Sequence, residues 1–143
     1  MDNESAVSMP AEERDEHLDT GGTGVLSLSA GEASPHSLPV SYGYDAETPA
    51  LYFRLAVGGD RSKGDLDGRA VSFVTYGEED GWWSVVARGR LVDIEREAVA
   101  SEALAGLERV DIPLVDIFEH PTREVDFEFY RLTPDELTGR VER

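Results

Sequence analysis

From Gly21 onward, apolar and polar residues alternate in short runs, and glycines interrupt the runs at intervals. A period of two is the signature of a half-buried β-strand. Val25-Leu26-Ser27-Leu28-Ser29 begins the series, and Gly31-Glu32-Ala33-Ser34 has turn composition. A second strand is expected over 35–44, with Leu38, Val40 and Tyr42 on one face. A third is expected over 51–57, where Leu51, Phe53, Leu55 and Val57 share a face. A fourth covers 70–76 with Val71 and Phe73 in alternation, and a fifth covers 82–94. The fifth is long for one strand, and Gly89 suggests a bulge or bend within it. Short connections predict an antiparallel meander of these five.

The period changes once. Val99, Ala103, Leu104 and Leu107 fall at helical spacing, so 96–109 is the one clear predicted helix, with Arg109 suited to its C-terminal end. Val125-Asp126-Phe127-Glu128-Phe129 alternates as a sixth strand. Thr133-Pro134-Asp135-Glu136 has the form of a capping box with proline at the first helical position, which predicts a short helical turn. Residues 139–141 suit a last short strand. Residues 1–17 are polar and acidic and predict a loose tail or a frayed helix, leaving 18–143 as a single domain. The expected class is mainly β with few helices: a small closed or split barrel, an antiparallel Greek key or meander of about six strands with one crossing helix. A parallel α/β fold is disfavoured, because helices do not alternate with strands.

Charge changes the picture. The chain has 143 residues with 30 acidic against 13 basic, a formal charge of −17. Such a field repels nucleic acid and anionic lipid, so neither is an expected partner. Hydrophobic residues make up 40% of the chain, too many for a disordered acidic segment. An acidic surface of this kind suits a halophilic protein, hydrated in strong salt where repulsion is screened. Twelve of the basic residues are arginine, and Lys63 is the only lysine. No apolar run approaches the roughly 20 residues of a membrane span. The acidic N-terminus is unlike a signal peptide, so a soluble cytoplasmic location is expected. There are no cysteines, and His17, His36 and His120 lack metal-ligand spacing.

The segment richest in candidate chemistry is Gly58-Gly59-Asp60-Arg61-Ser62-Lys63, which follows the third strand. Glycines let backbone amides approach an anion, the hydroxyl adds a donor, and two cations neutralise charge. That composition suits phosphate, and it equally suits a solvated polar turn. A halophilic surface turn, though, has no evident need of the only lysine. Trp82 and Trp83 are adjacent in a strand, so one of them faces outward, as at an interface or a ligand edge. His36 suits a relay group or a strand-end surface position. Arg88 and Arg90 suit an interface or surface ion pairs.

Four blocks together resemble the pyridoxamine 5′-phosphate oxidase-like FMN-binding split barrels. They are Tyr52-Phe53-Arg54-Leu55-Ala56 leading to Ser62-Lys63; Ala70-Val71-Ser72-Phe73; Gly81-Trp82-Trp83-Ser84-Val85-Val86-Ala87-Arg88-Gly89; and, upstream, Pro35-His36-Ser37-Leu38-Pro39-Val40-Ser41-Tyr42. Leu55 departs from a common threonine, and the loop before Ser62 is longer than usual. The resemblance implies a homodimer with FMN in a groove between subunits. It implies that Ser62 and Lys63 hold the phosphate with Arg54 and Arg61, and that Pro39, Val40 and Ser41 line the isoalloxazine edge. Phe53 would pack near the ring, and Trp83 and Ser84 would approach from the partner. It also implies an FMN-dependent oxidoreductase acting on a small molecule. The alternatives are a deazaflavin-dependent reductase of the same fold and a non-catalytic flavin-binding protein.

Overall fold

The computed structural model describes residues 6–19, 21–57, 66–79, 81–94 and 126–142. The elements run β1 (Ala6–Ser8), α1 (Ala11–Asp19), β2 (Gly22–Leu28), β3 (His36–Asp45), β4 (Ala50–Val57), β5 (Ala70–Glu78), β6 (Trp82–Asp93), β7 (Asp126–Leu132) and β8 (Glu136–Glu142). The helix expected over 96–109 lies outside the described residues, as do Arg61, Ser62 and Lys63.

Every recorded pairing is antiparallel. The strands run β6-β5-β2-β3-β4-β7, and β7 pairs back onto β6, so six of them close a barrel. Closure removes the exposed edges that an open sheet would present. The mainly β barrel expected from the alternation is therefore the architecture found. Of the two expected connectivities, the structure has the Greek key, not the simple meander of five strands. β2, β3 and β4 follow one another, but β5 pairs with β2 and β6 and has no recorded pairing with β4. The chain leaves β4 and returns on the far side of β2, a Greek-key step.

β6 pairs with β5 along one edge and, because it is long, serves two neighbours along the other. Trp82–Arg88 pair with β8, and Leu91–Asp93 pair with β7. Gly89 sits at the fork, where the chain between β7 and β8 crosses close over β6. A Cβ at Gly89 would stand 2.8 Å from Leu132 Cδ1 and 3.2 Å from the Thr133 carbonyl oxygen. The Asp135 amide donates to the Arg88 carbonyl at 2.8 Å in the same crossing. Only a residue without a side chain allows that approach. The expected helical turn at 133–136 is absent for the same reason: this stretch is the crossing itself, and Glu136 already begins β8.

The interior is packed with the alternating set read from the sequence. Leu26, Tyr42, Phe53, Phe73, Leu91 and Leu132 are all within 2% of complete burial. Tyr42 and Phe53 both contact the Phe73 ring, at centroid distances of 5.1 and 4.9 Å. Burying such a ring is worth about 1.5–3 kcal/mol, so this trio is a principal anchor. The buried polar side chains of Asp45 and Thr75 are matched to partners. Asp45 accepts from the Glu47 amide and the Thr48 hydroxyl and so closes the turn between β3 and β4. Thr75 donates to the Thr23 carbonyl at 2.9 Å.

The segment expected as a tail or frayed helix contains β1 and α1. The α1 sequence is polar, and Leu18 is its one buried residue, wholly covered by the barrel core. Tyr44 of β3 donates to the Asp15 carboxylate at 2.8 Å, and Arg14 pairs with the same oxygen. The helix lies at the barrel end formed by the starts of β2 and β6 and the ends of β3 and β5. No helix among the described residues is long and apolar enough to cross a membrane.

Candidate functional site

Strand alternation sorts the candidate residues onto two faces. On β3, Leu38, Val40, Tyr42 and Tyr44 join the core cluster, so Pro39 and Ser41 point outward. On β4, Leu51, Phe53 and Leu55 point inward, so Arg54 points outward. Register then brings three side chains into one outward row: Ser41 is paired with Arg54, and Arg54 with Phe129. Directly paired residues have Cβ atoms roughly 4.5–5.5 Å apart.

Ser41 and Arg54 are thus a hydroxyl and a guanidinium side by side on the barrel's outer surface. Ser41 is 4% exposed, and Arg54 is half-buried. Burial lowers the Arg54 pKa from the ordinary arginine value, because desolvation disfavours the charged form. The cation persists, since arginine does not deprotonate in proteins. Anionic charge beside it would offset that desolvation, and the planar fork suits two oxygens of one phosphate.

The same face continues around the barrel. Pro39 is exposed opposite Val25, Val25 pairs with Val74, and Val74 pairs with Val86. This apolar row leads to an aromatic cleft. Tyr76 and Trp82 are 63% and 52% exposed, with ring centroids 6.4 Å apart. They border a cleft of about 400 Å³ together with Ser84, Arg140 and Glu142.

The side chains of two expected ring contacts, Phe53 and Val40, lie in the core. Phe53 is 0% exposed within the core, and Val40 is 2% exposed. A ligand on the outer face could meet either position only through its backbone. Of the expected pair, Ser84 points outward and Trp83 lies at the barrel mouth, and both border the cleft beside Tyr76 and Trp82. The Trp83 indole stacks on the His17 ring of α1, centroids 4.2 Å apart. Trp82 is the tryptophan that faces outward.

The remaining candidates lie elsewhere. His36 is exposed at the first position of β3. Arg88 pairs with Glu136 at 3.5 Å, and Arg90 donates to the Gly68 carbonyl at 3.0 Å, so both engage surface partners. Tyr76, Arg140 and His17 were not singled out from the sequence. Tyr76 had a legible signal: it continues the outward set Ser72 and Val74 and is the bulkiest member. His17 and Arg140 had none, since their neighbours are set by tertiary contacts. Among the described residues no group of His, Asp and Glu could hold a metal ion.

Comparison with known proteins agrees with this architecture. The solved structure of a proposed pyridoxamine 5′-phosphate oxidase from Corynebacterium glutamicum is similar to the chain at TM-score 0.65 and 22% identity, covering 94% of this chain and 96% of that one. The FAD binding protein from Mycobacterium smegmatis matches at TM-score 0.66 and 18% identity, covering 96% and 99%. An FAD-binding protein from Mesorhizobium loti matches at TM-score 0.62 and 20% identity, with the same coverage of 96% and 99%. At these identities the likeness is one of fold. A search of the curated proteins found no significant match. The family model for pyridoxamine 5′-phosphate oxidase matches residues 10–141, nearly the whole length, and the chain belongs to that family.

Proposed function

We propose that the protein binds FMN on the outer face of the barrel and works as a flavin-dependent oxidoreductase on a small molecule. The observation that carries this is the pairing of Ser41 with a half-buried Arg54 on the outer face, in a chain of this family. The residues present fit a phosphate-bearing planar ring. Arg54 supplies partly desolvated positive charge, Ser41 a hydroxyl, and Pro39 with the valine row an apolar surface for a ring system. Arg61, Ser62 and Lys63 complete the phosphate set, with Lys63 as the principal cation. A bound flavin supplies hydride and single-electron transfer; the chain's own residues hold the phosphate charge, orient the ring and exclude water around it.

The functional unit in this reading is a homodimer. Val25, Val74 and Val86 form an outward apolar row, and exposed Tyr76 and Trp82 border the cleft beside it. A two-fold interface would cover this surface and seat the cofactor between subunits, with Ser84 contributed by the partner. Sedimentation in high salt gives a dimer of the 15.7 kDa chain under this reading, and a monomer at micromolar concentration would rule it out.

FAD is the second reading, favoured by two structural relatives described as FAD binding. The deciding experiment is to purify the protein, record its visible spectrum and identify the released cofactor by chromatography and fluorescence. FMN supports the first reading and FAD the second, while a deazaflavin would replace both. A colourless protein that takes up no added flavin would overturn flavin binding. Bleaching by NAD(P)H and turnover of an acceptor then separates an oxidoreductase from a carrier.

A further inference from the structure

The barrel mouth under α1 holds a second groove, of about 500 Å³. Small-molecule sites fall at roughly 300–1,000 Å³. One side of the groove is aromatic, made by Tyr76 and by the stacked rings of His17 and Trp83. The hydroxyls of Tyr42 and Thr75 are its neutral polar lining, and Thr75 donates to the Thr23 carbonyl. Gly21 and Gly22 complete the wall without side chains. Glu16 of α1 and Glu79, beyond the end of β5, supply two exposed carboxylates. None of the described residues lining the groove is lysine or arginine.

We propose that this groove binds a small organic cation, an ammonium group carried on an apolar or aromatic body. The carboxylates of Glu16 and Glu79 take the charge, and the exposed Tyr76 ring offers a π face to it. The His17–Trp83 stack and the glycine wall receive the apolar body. Neutral hydroxyls accept or donate hydrogen bonds without adding opposing charge. An anion would meet two carboxylates and a negative protein field with no basic side chain among the described lining residues to offset them, so the groove is unsuited to a phosphate. The groove shares Tyr76 and Trp83 with the cleft of the outer face, and its two carboxylates set its ligand apart from a flavin phosphate.

The test is a titration of the full chain as purified, at fixed high salt, with three probes of similar shape. These are 2-phenylethylammonium, the neutral 2-phenylethanol and the anionic 3-phenylpropanoate. Affinity is read by calorimetry and location by the indole N–H resonances, which Trp82→Phe assigns. The ammonium ion is expected to bind and shift the Trp83 signal, with the alcohol weaker and the anion not bound. Glu16→Gln with Glu79→Gln should weaken the ammonium roughly tenfold, the sum expected of two exposed ion pairs. Glu32→Gln with Glu136→Gln removes the same charge at exposed positions that do not line the groove and should leave binding unchanged. Tyr76→Ala should also weaken it. Equal binding of the alcohol, equal loss in the control pair, or no shift at Trp83 would each overturn the assignment.

Discussion

The imidazole of His17 lies flat on the indole of Trp83, with ring centroids 4.2 Å apart and planes inclined by 17°. The contact ties a polar helix to the first turn-ward residues of β6. Gly77, paired with Trp83 across β5 and β6, leaves the space that the ring needs.

Gly77→Ala should therefore disturb the stack. A Cβ there would stand 2.9 Å from Trp83 Nε1 and 3.0 Å from Cζ2. The ring must shift, and overpacking of this kind costs about 1–3 kcal/mol. Urea unfolding should register that loss, and the near-ultraviolet dichroism of the tryptophans should change with it. Unchanged stability together with an unchanged spectrum would show that the indole has room to move.

Tyr44 makes stability sensitive to alkali. Burial raises its pKa well above the ordinary 10.0, and its hydrogen bond to Asp15 and the charge of that carboxylate raise it further, with Arg14 opposing. The folded protein favours the neutral phenol, so the unfolded chain loses its proton first. Stability is fully present below pH 10.0 and declines as pH rises from there toward the folded value. Tyr44→Phe should make that decline shallower while costing about 0.5–1.5 kcal/mol at neutral pH from the lost hydrogen bond. Denaturant midpoints measured from neutral to strongly alkaline pH for both proteins would decide it; parallel curves would exclude Tyr44 as the source.

Cofactor affinity should depend on Lys63 and Arg54 separately. Each is assigned a charge-assisted contact with the phosphate, worth about 1.5–3 kcal/mol. Lys63→Ala and Arg54→Gln should each weaken FMN binding roughly tenfold to over a hundredfold. Lys63→Arg should retain much of the affinity, although a planar guanidinium does not replace a point charge in every site. The measurement is fluorescence quenching of FMN by the apo protein at fixed high salt. Wild-type affinity in Lys63→Ala would remove the loop of 58–63 from the site and leave Arg54 to be judged alone.

Salt should stabilise the fold. A formal charge of −17 on one small domain generates self-repulsion that counter-ions screen. The melting temperature is expected to climb steeply from dilute buffer to molar KCl. A flat profile would show that the acidic surface has no such role and would end the halophilic interpretation.

The barrel strands were legible because alternation is local. Inward residues such as Leu26, Leu28, Phe53, Leu55, Val71 and Phe73 sit two apart in the chain, and a pleated strand places every second residue on one side. The same rule required the two adjacent tryptophans to part, and the resemblance of four blocks pointed to the family. What period two does not carry is partnership. That β5 joins β2 and not β4 is decided by closing the barrel, a contact between residues far apart in sequence. The polar segment at Thr133–Glu136 met the local pattern of a helix start, yet the crossing over Gly89 claims it. The helix α1 has almost no apolar periodicity, so its place rests on single tertiary contacts: Leu18 in the core, Asp15 under Tyr44, His17 against Trp83. The site divides along the same line. The family resemblance marked Ser41 and Arg54 as candidates, but only register sets them side by side, and only the fold turns Phe53 into the core and gathers Glu16, Tyr76 and Glu79 around one groove.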